Sequence, residues 1–81
     1  MNFLELTLSE AQLLLSKNEI SFTYKNWKGE TSERKVKPEN IEYTTSLYHP
    51  GAGYALFLHA FDVEKQQYRD FLCKDIEINL D

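Results

Sequence analysis

The spacing of apolar residues changes along the chain, and each spacing predicts an element. Ala11, Leu14 and Leu15 fall at i, i+3 and i+4, the stripe of a helix with one buried face. Two starts fit it: Ser9 with Gln12, and Thr7 with Glu10, both have the spacing of a reciprocal N-terminal cap. Ser16-Lys17-Asn18-Glu19 ends the stripe, so one short helix is expected over 8–18. From Ile20 the period becomes two. Ile20, Phe22 and Tyr24 alternate with Ser21, Thr23 and Lys25, the mark of a half-buried strand. A turn follows around Gly29, which tolerates positive φ. A second strand is expected over 32–37, stopped by Pro38, and a third around Ile41, Tyr43 and Thr45.

His49-Pro50-Gly51-Ala52-Gly53 reads as a loop. The run 54–61 is almost continuously apolar, which predicts a strand covered on both faces, with the helix as the natural cover for one. A polar connection over 62–67, a strand over 68–73 and a short alternation of Ile76, Ile78 and Leu80 complete the pattern. One helix before five or six short strands, with no second helix to carry parallel crossovers, predicts a mostly β fold. The expected form is a small antiparallel barrel of OB or SH3/Sm type.

Length makes this one domain over 1–81, with a helix at 8–18 and a β-barrel over 20–80. A chain so short buries only about 60% of the surface it exposes when unfolded, which leaves little room for an enclosed active site beside a core. Cys73 is the only cysteine, so neither an internal disulfide nor a cysteine-based metal site can form. No stretch has signal-peptide form and no apolar run reaches membrane-spanning length, so a cytoplasmic protein without membrane contact is expected. The net charge is −4, yet 25–37 carries a net +3 from Lys25, Lys28, Arg34, Lys35 and Lys37 against Glu30 and Glu33, which leaves −7 elsewhere. A basic strip on an acidic body, or a solvated hairpin with lysines at its edge, both fit that distribution.

From Ile20 onward the chain resembles the WYL domain, a small Sm/SH3-like β-barrel module. The resemblance rests on ordered pieces: Ile20-x-Phe22-x-Tyr24, then Gly29 and Arg34-x-Val36-x-Pro38, then Leu56-Phe57-Leu58-x-Ala60-x-Asp62, then Arg69-x-Phe71 and Ile76. It implies a regulatory or sensing module that binds a nucleic acid or nucleotide-like ligand, commonly beside a helix-turn-helix. It nominates Tyr24, Arg34, Phe57 and Arg69 as binding residues. Leu56-Phe57-Leu58 stands where the family has Trp-Tyr-Leu, and Asp75 stands where the family commonly has a second arginine. With no helix-turn-helix in these residues, the resemblance implies a module that stands alone or works with a partner chain.

Each candidate has a plainer role beside it. Arg34 and Arg69 suit phosphate through paired hydrogen bonds, or each pairs with a neighbouring carboxylate such as Glu33 or Asp70. Phe57, His59 and Phe61 share one strand face, where they stack on bases or lie under the helix. Trp27, between Lys25 and Lys28, is a stacking platform or a plug at one end of the barrel. Catalysis is not expected, because nothing brings Cys73, His49 and His59 together. No cofactor is expected, and two histidines without clustered carboxylates do not suggest a metal. Two function classes follow. One is a non-enzymatic regulatory module that binds single-stranded nucleic acid or a nucleotide through Tyr24, Trp27, Arg34, Phe57, His59 and Arg69. The other is a protein-interaction or inhibitor module that uses the acidic surface, with a homodimer through a strand edge as a further form.

Overall fold

A computed structural model describes residues 1–47 and 49–80. One short helix, α1 (Leu8–Leu15), precedes five strands: β1 (Ile20–Lys25), β2 (Thr31–Thr44), β3 (Ala55–Asp62), β4 (Gln67–Leu72) and β5 (Ile76–Glu77). The strands form one antiparallel sheet in the order β4-β3-β2-β1-β5.

Of the two helix starts, Thr7 with Glu10 is the one used. The Glu10 N–H donates to Thr7 Oγ1 at 3.1 Å, and the Thr7 N–H donates to Glu10 Oε1 at 2.8 Å. The helix stops three residues short of the expected end. Ser16 Oγ donates to the Leu13 carbonyl at 2.6 Å, so a side chain takes up a backbone acceptor at the last turn. Leu14 is the one helix residue in the core, with Ala11 and Leu15 half-buried beside it.

The two strands expected at 32–37 and around 41–45 are one strand. β2 pairs with β1 over Thr31–Val36 and with β3 over Val36–Thr44, so only Val36 has a strand partner on both sides. The register slips between Pro38 and Asn40, leaving Glu39 as an extra residue. That bulge inverts the phase: Val36 and Pro38 face inward before it, and Ile41 does so after it. Pro38, expected from sequence to stop a strand, lies inside this one. The bulge gives Pro38, which has no N–H to pair, a place in a central strand.

The core gathers Ile20, Phe22 and Tyr24 of β1, Val36, Leu58 and Ala60, Phe71, Cys73, Ile76 and Ile78, with Phe3 and Leu14 closing one end. Phe22, Tyr24 and Phe71 pack edge to face, with ring centroids 5.1–6.4 Å apart. The chain start is tied to its end, since Met1 and Ile78 exchange backbone hydrogen bonds of 2.8 and 3.1 Å.

The closed SH3/Sm-like barrel expected from sequence is not what the chain forms. The sheet is open, with β4 and β5 at its edges. β5 is only two residues long, and side chains occupy the outer edge of β4 where a closing strand would pair. The Leu72 N–H donates to the Tyr24 hydroxyl at 3.0 Å, and the Asp70 carbonyl lies 3.1 Å from His49 Nε2. Such capping blunts an edge without closing it.

Candidate functional site

The gap between the β4 edge and the end of β1 is a cavity of about 280 Å³. Four of the residues singled out from sequence line it: Tyr24, Trp27, Arg34 and Arg69. Their placement follows from the ladder. Arg34 lies opposite Phe22 and Arg69 opposite Ala60, so both arginines share the inward face with the core. They stand where that face runs out of apolar residues.

Arg34 is held from behind. Its Nη1 lies 3.5 Å from Asp62 Oδ2, and its side chain is 18% exposed. Asp62 is itself buried, and its Oδ1 accepts the N–H groups of Glu64 and Lys65 at 3.0 and 3.1 Å. The β3–β4 turn therefore fixes the carboxylate that positions the arginine. The Arg34 Nε is buried without a hydrogen-bond partner. Neither Glu33 nor Asp70 pairs with either arginine. Asp70 instead bonds His59 Nδ1 and the Ser46 hydroxyl, and no ion pair or hydrogen bond engages the Arg69 side chain among the described residues.

Trp27 sits at the tip of the β1–β2 turn, 85% exposed, with the Lys28 ammonium 5.2 Å from its ring centroid. Asn26 builds that turn. Its Oδ1 accepts from the Lys28 and Glu30 N–H groups at 2.9 and 3.0 Å, and Gly29 takes φ 81°. The plug alternative is thus not adopted. Tyr24 is buried except where its edge meets the cavity. Burial is the main cause that raises its pKa above 10.0, so its hydroxyl stays protonated while accepting from Leu72.

Two nominated residues lie elsewhere. Phe57 is fully buried, its ring 5.5 Å from that of His49 and its strand partner the buried Leu72. It packs under the 49–53 loop and offers no face for stacking. His49 of that loop packs against Phe57 on the second face of β3. His59 is half-buried outside the cavity, with Nδ1 on Asp70 and Nε2 3.1 Å from Glu42. It is the satisfied histidine of the plainer reading. The basic strip is also divided: Lys35 and Lys37 alternate away from the arginine side, and Lys35 lies 3.9 Å from Glu19.

Sequence reasoning missed His49 as a cavity residue, since a loop histidine carries no periodicity. It also missed the second compartment of the groove. A space of about 500 Å³ adjoins the first, sharing Tyr24, Trp27 and His49 and continuing to Leu72, Lys74 and Asp75. Among the described residues, no three His, Cys, Asp or Glu side chains converge as metal ligands, and no helix is long and apolar enough to cross a membrane.

No curated protein matches the chain. The family model of the WYL domain matches residues 7–78, nearly the whole sequence. WYL domains are regulatory, ligand-sensing domains rather than enzymes, and this chain belongs to the WYL domain family.

Proposed function

We propose that the domain senses a nucleotide or a short single-stranded nucleic acid, bound in the cleft between β4 and the β1–β2 turn, and passes that state to a partner. What supports the reading most is the condition of Arg34. Its side chain lies at the cavity wall and its one ion pair is long, which leaves guanidinium donors unused. A phosphate oxygen is the acceptor that a guanidinium fits with two parallel bonds. Arg69 supplies a second cation, the Tyr24 hydroxyl a donor, and Trp27 a stacking face.

Fluorescence anisotropy of labelled single- and double-stranded oligonucleotides at two salt concentrations tests this. The expected result is a preference for single strands, with affinity falling as salt rises because phosphate contacts release counterions. Arg69→Ala is the cleaner variant, since that side chain supports no ion pair within the described fold. Its affinity should fall at least about tenfold, in keeping with a lost charge-assisted bond. Absence of binding at low salt, or binding that Arg34→Ala with Arg69→Ala leaves unchanged, would overturn the reading.

A further inference from the structure

The two compartments of the groove differ in their charged groups. Arg34 and Arg69 stand in the first, Asp75 stands in the second beside the exposed Lys74, and Tyr24, Trp27 and His49 belong to both. Asp75 is half-buried at the end of the 3₁₀ turn Cys73–Asp75, and no hydrogen bond or ion pair engages its carboxylate among the described residues. Its charge is also felt at the Tyr24 hydroxyl, where it opposes ionisation. A free carboxylate facing a groove has acceptor capacity and no donor capacity. It therefore favours a ligand edge made of N–H groups.

Resting on the nucleotide-binding reading, we propose that the second compartment is a base site specific for guanine, with Asp75 reading the base and Trp27 stacking against it. The chemistry separates the four bases. Guanine presents N1–H and an N2 amino group side by side, so one carboxylate accepts both. Adenine and cytosine each place a ring-nitrogen acceptor beside their amino group, and that lone pair would oppose the carboxylate. Uracil flanks its one N–H with two carbonyl oxygens. The phosphate would then lie across Trp27 at Arg34 and Arg69.

The test is titration of the intact chain with GMP, IMP, AMP, CMP and UMP, read through the fluorescence of Trp27, its only tryptophan. GMP should bind about tenfold or more tightly than the others, the discrimination of one well-made paired contact. IMP, which lacks only the N2 amino group, should lose most of that advantage. Asp75→Asn should bring GMP down to the level of the others while leaving AMP and UMP binding unchanged or improved. Asp75→Ala should do the same, which excludes a donor gained from the new amide as the cause. Equal binding of all five nucleotides, or a guanine preference that survives in both Asp75 variants, overturns the base site while the phosphate reading stands. Binding of none of them overturns both.

Discussion

The Tyr24 hydroxyl accepts the Leu72 N–H at 3.0 Å, joining the end of β1 to an edge strand that is three places away in the sheet. This one side-chain bond stands where a barrel would have a ladder. Tyr24→Phe keeps the ring against Phe22 and Phe71 and removes the acceptor. A buried N–H left unpaired costs about 1–3 kcal/mol, so the urea midpoint should fall accordingly. Hydrogen exchange at Leu72 should accelerate more than at Phe71, which the β3 ladder still protects.

Asp62 has two duties of unequal weight. Its turn bonds to the Glu64 and Lys65 N–H groups are of normal length, while Arg34 is 3.5 Å away. Asp62→Asn retains an oxygen for the turn and should cost about 1 kcal/mol, whereas Asp62→Ala strips both N–H groups and should cost about 3 kcal/mol or more. Chemical denaturation of the two variants checks the order. Equal losses would mean that the charge on Arg34, not the turn, is what Asp62 chiefly serves.

How far these roles can be read in sequence depends on the range over which each is decided. β1 was legible and the helix start was narrowed to two, because alternation at Ile20, Phe22 and Tyr24 and the cap spacings of Ser9 with Gln12 and Thr7 with Glu10 are local signals. The single β2 strand was not, because an unpaired Glu39 is visible only once β3 is set beside it. Phe57 misled for a related reason. Alternation divides β3 into two faces, and only the packing of His49 against Phe57 decides that both are covered there. The arginines were legible as types and the cavity was not, since it forms between Gln67–Phe71 and the Tyr24–Trp27 segment, which lie at least 40 positions apart in the chain.

Cys73 gives the chain an alkaline limit. Burial pushes its thiol from 9.0 up to about 12. Below pH 9 the thiol is protonated in both states and its burial contributes in full. Between pH 9 and 12 the unfolded chain loses the proton while the folded one retains it, so stability falls as pH rises, by up to about 1.4 kcal/mol per pH unit. The raised Tyr24 pKa adds a loss of the same sign above pH 10.0. Cys73→Ala should flatten the first part of this decline in urea midpoints measured from pH 8 to 11. The wild-type thiol should react with a disulfide reagent at pH 8 only after denaturant is added.

Trp27 and Phe57 are the two aromatics that most cleanly separate binding from packing. Trp27 is 85% exposed at a turn that Asn26 and Gly29 hold without it. Trp27→Ala should therefore leave stability within about 0.5 kcal/mol of wild type. If the ring stacks on a base, the same change should weaken ligand binding by about 1–3 kcal/mol. Phe57 has no exposed surface, and Phe57→Ala opens a cavity between β3, Leu72 and His49 that should cost about 3–5 kcal/mol. Phe57→Leu fills most of that space and should restore folding without an aromatic ring. A Phe57→Leu variant that binds as wild type, beside a Trp27→Ala variant that folds as wild type and binds poorly, would place ligand stacking at the turn and assign the strand aromatic to the core.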